Sequence, residues 1–197
     1  METFQDDTAK KILAEATKLF AEKGYKGVSV REILQAAEVG NIGAISYYFG
    51  GKRELYIAVL REHFQHAHRL AEAINQNEWS PVKKLKLIFA AIGETYKNSP
   101  YTIKLLLREI NQPSEFFPEI DAEIKSVQKI SCDIIREGIE AEIFRADVKS
   151  ECITLFLFSV AHFVFLMPNL AKIFLNEETF DEYFAEAQEM FFGGIMR

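Results

Sequence analysis

Cysteine, proline and tryptophan are scarce here: two, five and one in 197 residues. Cys132 and Cys152 cannot build a disulfide framework, which excludes the small secreted scaffolds. Both sit among apolar residues in the sequence, and an oxidant sensor is not expected. No stretch alternates apolar and polar residues, and no Asn-Gly or Asp-Gly turn occurs, which argues against β-hairpins. The longest apolar run, Cys152–Met167, is shorter than the roughly 20 residues a bilayer needs. It contains His162 and stops at Pro168-Asn169, so no membrane span is expected. Nucleophile elbows, phosphate-binding glycine loops and paired catalytic carboxylates are missing. His63, His66 and His68 share a helix, but no carboxylate or cysteine completes a metal set with them. The expectation is a chain that is not an enzyme, with no catalytic residues, no metal and no cofactor. Met1–Asp7 lacks the basic-then-apolar opening of a signal peptide, and the expected compartment is the cytoplasm.

What is abundant is apolar and acidic. Half of the residues are hydrophobic, a quarter charged, and the net charge is −6. That balance supports a folded core and argues at first against nucleic acid. The average conceals two regions. Residues 1–56 carry 8 Lys/Arg and 8 Asp/Glu, so the whole acidic excess lies in residues 57–197, which also hold most of the 17 phenylalanines. We expect two domains with these bounds, 1–56 and 57–197.

The five prolines separate stretches of helical periodicity, and the chain reads as all-α. Ile12, Leu13, Ala16, Leu19 and Phe20 make one stripe of a helix over 7–23 that stops at Gly24. Ser29-Val30-Arg31-Glu32 is a capping box opening a short helix to residue 37. A glycine-bearing turn leads to another short helix over 41–48, closed by Gly50-Gly51. Longer helices are expected at 52–77, 81–98, 101–112, 118–142, 149–167 and 179–192. Ser80-Pro81 and Ser99-Pro100 look like N-caps followed by proline at the first helical position. Thr179-Phe180-Asp181-Glu182 is a second capping box, and Gly193-Gly194 the expected stop of the last helix.

Two short helices joined by a turn behind a longer one make a helix-turn-helix. A short helix of this kind fits the major groove while its partner braces the backbone. Three segments carry a resemblance at this point: Leu19-Phe20-Ala21-Glu22-Lys23-Gly24-Tyr25, Val28-Ser29-Val30-Arg31-Glu32-Ile33, and Asn41 through Leu55 with its Tyr48-Phe49-Gly50-Gly51-Lys52. Over residues 8–60 the sequence resembles the TetR family of bacterial transcriptional regulators. It departs from the family in one extra residue near Gly40 and in Ser46, where a tyrosine is common.

The resemblance implies double-stranded DNA, as a palindromic operator, for a partner. Ser29 and Arg31 would meet phosphate or a groove edge. Asn41, Ile42, Gly43, Ala44 and Ser46 would present the reading helix to bases. Tyr47, Tyr48 and Lys52 would hold phosphates. Ile12, Phe20, Ile33, Val39, Ile45, Phe49 and Leu55 form the expected core beneath. The resemblance also implies a homodimer through a four-helix interface. The run from Cys152 is apolar all round and so asks for burial on every side; Phe156, Val160 and Phe163 there, with Phe180, Phe184 and Phe191, are the interface candidates. Position on the helices between suggests a mostly apolar effector pocket from Phe89, Ile92, Tyr96, Leu105, Phe116, Phe117, Ile124 and Ile134, with Arg108, Glu109 and His162 as its polar groups. The expected function is a ligand-responsive repressor released from its operator by a partly apolar small molecule. The rival is a helical dimer that takes a hydrophobic ligand or protein partner without DNA.

Overall fold

A computed structural model of the chain describes residues 7–175 and 180–197, leaving out the side chains at 63, 168, 180 and 181. Among these residues all regular structure is helical. The order is α1 (Asp7–Lys23), α2 (Val30–Ala36), α3 (Ala44–Phe49), α4 (Lys52–Asn75), α5 (Pro81–Asn98), α6 (Pro100–Asn111), α7 (Pro118–Glu140), α8 (Ser150–Leu166), α9 (Pro168–Phe174) and α10 (Phe180–Ile195).

Among the described residues the packing makes two units: residues 7–66 with 99–123, and residues 67–98 with 124–175 and 180–197. The division falls within α4 and α7, and not at residue 56. Helix α6, expected in the acidic part, belongs with the first unit. There it packs on α1, burying Ile103, Leu105 and Leu106. Ile12, Ala16, Phe20, Ile33, Ile45, Leu55 and Leu60 complete that core. Val39 and Phe49, expected within it, are half-buried.

The second unit is built on Leu85, Phe89, Ile134, Ile135, Phe144, Leu157 and Phe191. Lys84 crosses the margin of this core, buried to 5% exposure, with its ammonium 2.7 Å from the Glu137 carboxylate. A buried ammonium needs such a partner.

Three local expectations are corrected. Ser99 precedes Pro100 but makes no side-chain cap; its backbone lies at φ −137°, ψ 53°. Pro168 does not simply end α8, because a proline at a first helical position costs no hydrogen bond, and α9 starts there. Gly193-Gly194 does not stop α10, which runs on to Ile195; Ile195 is buried at 3% exposure and its carbonyl accepts from the Arg145 N–H at 2.9 Å. Thr179, in the expected second capping box, lies outside the described residues.

Candidate nucleic-acid interface

The helix-turn-helix is assembled by local hydrogen bonds. The Ser29 hydroxyl accepts from the Glu32 N–H at 3.2 Å, and the Glu32 carboxylate accepts from the Ser29 N–H at 2.7 Å. The Ser29 side chain, its backbone N–H and Lys23 together hold the Glu32 carboxyl at a pKa of about 2. The Ser29 hydroxyl thus accepts from the Glu32 backbone through a lone pair while its O–H serves the Glu32 carboxylate.

Helix α2 ends in a Schellman arrangement: Val39 N–H donates to the Leu34 carbonyl at 2.9 Å and Glu38 N–H to that of Gln35 at 3.2 Å. The left-handed residue of this motif is Glu38, at φ +54°. A Cβ on Gly40 would meet nothing within 4 Å, so the longer turn needs no glycine there. Because a left-handed L-residue is strained by about 1–2 kcal/mol, Glu38→Gly is expected to stabilise the chain by about 0.5–1 kcal/mol after the flexibility it adds to the unfolded state. A urea midpoint that rises with unchanged slope would show this; a lower midpoint would contradict it.

Asn41 does not lie inside the reading helix. Its side-chain carbonyl accepts from the Gly43 N–H at 2.9 Å, its backbone carbonyl from Ala44 at 3.1 Å, and the helix starts at Ala44. Gly50, at φ +89°, closes it and donates to the Ser46 carbonyl. The six residues of α3 then divide sharply. Ala44 and Ile45 are buried at 3% and 1% exposure, whereas Tyr47 stands 82% exposed and Ile42, in the turn just before the helix, 62%. Ala44, a candidate for base contact, therefore gives its methyl group to the core. Asn41, Gly43 and Ser46 are exposed, as is Arg31. Tyr48 is half-buried, edge-on to Tyr47 at 4.9 Å between centroids. The Lys52 ammonium lies 4.4 Å above the Tyr25 ring; burial lowers its pKa, against the pull of Glu32.

Beneath this surface lies a polar contact the sequence did not reveal. Glu109, 3% exposed, accepts from the Tyr56 hydroxyl at 2.6 Å and from the Ser114 hydroxyl at 2.6 Å. Burial first, and the bond to Glu109 second, push the Tyr56 phenol well above its ordinary pKa. Phe116 packs against both Tyr25 and Tyr56, each at 4.7 Å between ring centroids. Arg108, beside Glu109 on α6, is exposed instead, with its guanidinium against Gly24.

The expected pocket residues fall in both units. Leu105, Arg108, Glu109, Phe116 and Phe117 belong to the first unit, and Phe89, Ile92, Tyr96, Ile124, Ile134 and His162 to the second. Leu105, Phe116, Phe89 and Ile134 are closed into core, while Ile92, Phe117 and Ile124 are half-buried. Within the second unit a cleft of about 290 Å³ opens instead beside Gly93, Glu94, Lys97, Phe165, Phe184 and Gln188.

The interface candidates divide as well. Phe156 and Phe163 are exposed, at 49% and 40%, with Leu155 at 68% beside them on α8, and Val160 is half-buried. Phe191 is fully buried in its own unit's core, and Phe184 packs on Phe89 at 4.6 Å. The Phe180 and His63 side chains lie outside the described ones. Among the described residues no group of three His, Cys, Asp or Glu could hold a metal. No described helix is long and apolar enough to cross a membrane.

Residues 12–59 match the model of "Bacterial regulatory proteins, tetR family". Across 180 residues the chain is 27% identical to the "Probable HTH-type transcriptional regulator YttP" of Bacillus subtilis, covering 90% of this chain and 86% of that one. It is 30% identical over 154 residues to the HTH-type transcriptional repressor NicS of Pseudomonas putida, covering 76% and 70%. The fold is shared with the regulator FadR from Bacillus subtilis, solved with stearoyl-CoA, at a TM-score of 0.75, 21% identity and coverage of 94% and 98%. The chain belongs to the TetR family of bacterial regulatory proteins.

Proposed function

We propose that this protein is a cytoplasmic transcriptional repressor that binds a palindromic operator as a homodimer and is released by a small molecule. The observation that carries the DNA reading is the division of α3. Ala44 and Ile45 anchor it, while Tyr47, and Ile42 in the turn that leads into the helix, project with no core to serve. An exposed tyrosine on so short a helix, with an exposed isoleucine leading into it, suits a groove, where an apolar side chain can touch a thymine methyl and a phenol a phosphate. Asn41, Gly43, Ser46, Tyr48, Lys52, Ser29 and Arg31 complete the proposed contact surface.

One such helix reads too few bases, and two on a two-fold axis read a palindrome. The exposed apolar face of α8, with Leu155, Phe156 and Phe163, is the proposed site of pairing. NicS carries the name of a repressor and FadR was solved with an acyl-CoA, which supports repression and an effector for this chain. Helices α4 and α7 each contribute to both packed units. A ligand that prefers one packing of the second unit can therefore act on the first through them, by as much as its differential affinity allows.

The test is binding to the DNA upstream of the protein's own coding region, by gel shift across a salt series. Expected is a retarded complex that competitor DNA of scrambled sequence does not displace and that weakens steeply with salt. Equal affinity for both DNAs would overturn the repressor reading and leave a helical dimer without an operator.

A further inference from the structure

Tyr96 is costly where it stands. It lies on α5 one turn beyond Gly93, is 8% exposed, and its hydroxyl has no hydrogen-bond partner among the described residues. Its ring stacks on Phe165 at 3.6 Å and 7°, and meets His162 edge-on at 5.6 Å. A phenylalanine would fill the same layer without burying an unpaired hydroxyl.

The neighbouring cleft gives that hydroxyl a use. Phe165 both stacks on Tyr96 and lines the cleft, so the turn of one ring joins the two. Gly93 lines it too, and a Cβ there would come within 2.9 Å of the Phe184 ring. The space, about 290 Å³, lies near the lower bound for small-molecule sites.

The polar groups of this layer select the ligand's chemistry. His162 Nδ1 lies 2.7 Å from the Phe158 carbonyl. A carbonyl only accepts, so Nδ1 carries the proton and Nε2 of the neutral ring is an acceptor. Burial lowers the His162 pKa below the ordinary histidine value, favouring that neutral form. Beside the aromatic rings the layer thus offers one phenolic donor and a neutral imidazole. The charged residues that line the cleft, Lys97 and Glu94, are both exposed and of opposite sign, so a carboxylate held at Tyr96 and His162 would be desolvated without a buried counter-charge, whereas a ketone, ester or alcohol oxygen would be satisfied.

We infer that the cleft admits a neutral, largely apolar molecule whose carbonyl or hydroxyl oxygen displaces the Phe165 ring from Tyr96 and accepts a hydrogen bond from the Tyr96 hydroxyl. This rests on the effector reading above and names the effector's chemical class.

The probes are 2-acetylnaphthalene, a neutral ketone, and 2-naphthoate, its charged counterpart, titrated calorimetrically into the full chain and into Tyr96→Phe without DNA. The ketone is expected to bind the unaltered chain, and Tyr96→Phe to weaken it about fivefold to tenfold, the worth of one neutral hydrogen bond. Naphthoate should bind at least about tenfold more weakly than the ketone and be indifferent to the substitution. Without ligand, Tyr96→Phe should melt no lower than the unaltered chain, since it removes an unpaired buried group. Equal ketone affinity in both chains, preference for naphthoate, no ketone binding at millimolar concentration, or a lower melting temperature for unliganded Tyr96→Phe would each overturn the inference. A chain that binds the ketone but not its upstream DNA refutes the repressor reading alone. One that binds the DNA but not the ketone refutes this inference alone.

Discussion

Gly138→Ala is expected to destabilise the protein by about 2–3 kcal/mol, although alanine is the better helix former by about 1 kcal/mol. The reason is the turn that ends α7. Glu142 adopts φ +56°, and the N–H groups of Ile143 and Phe144 both donate to the Gly138 carbonyl, at 2.9 and 3.0 Å. The chain thereby doubles back and lays the Phe144 ring directly over Gly138. A Cβ at 138 would fall far inside van der Waals contact with that ring. Phe144 is 1% exposed and belongs to the core of the second unit. The next residue is held by Arg145 N–H to the Ile195 carbonyl, so the ring has no free direction in which to yield.

The check is a double-mutant cycle in denaturant. Phe144→Ala alone should cost about 3–5 kcal/mol as a buried aromatic. Adding Gly138→Ala to it should cost nothing further, because the clash is gone, giving a coupling of about 2 kcal/mol or more. Additive effects of the two substitutions would show that Gly138 does not serve this contact.

That contact illustrates where the sequence is legible and where it is not. Features set by neighbours along the chain could be read directly: the stripe of α1, the box at Ser29, the stop at Gly50. Each is decided within one or two helical turns. Phe144 over Gly138 is also close in sequence, but only the left-handed Glu142 turns one onto the other, and glutamate does not announce that conformation.

Partner choice was harder still. The apolar stripe of α6, Ile103, Leu105 and Leu106, suits any hydrophobic surface, and nothing local says that it covers α1. Arg108 and Glu109 look like a pair when read as adjacent letters. On a helix, adjacent residues do not face each other, so one reaches solvent and the other is buried against Tyr56 and Ser114. The apolar run from Cys152 asked for burial on every side. The structure buries one stripe, Ile153, Leu157, Ala161 and Val164, and leaves Leu155, Phe156 and Phe163 exposed. What the all-round pattern encodes is therefore a core face and a second apolar face, and the proposed subunit contact is the second.

Tyr47→Ala is expected to weaken operator binding by about 100-fold while leaving the free protein's stability within about 0.5 kcal/mol. The stability half follows from exposure: Tyr47 is 82% in solvent, with its ring against the neighbouring Tyr48. The affinity half follows from the proposed two-fold symmetry of protein and operator. One lost phosphate contact worth about 1.4 kcal/mol is tenfold in a binding constant, and a palindrome counts it twice. Lys52→Gln provides the contrast that separates contact from charge. Its ammonium rests on Tyr25, so removing it should also cost the free protein about 0.5–1 kcal/mol of cation–π stabilisation. On DNA it removes one cation per half-site and should flatten the salt dependence by about 2 in log–log slope for the dimer. Tyr47→Ala removes no charge and should leave that slope unchanged. Affinities measured by fluorescence anisotropy from low to moderate salt give both quantities together. If Tyr47→Ala binds as tightly as the unaltered chain, the exposed face of α3 is not the reading surface. If it loses affinity only together with stability, the ring is a packing group and not a contact.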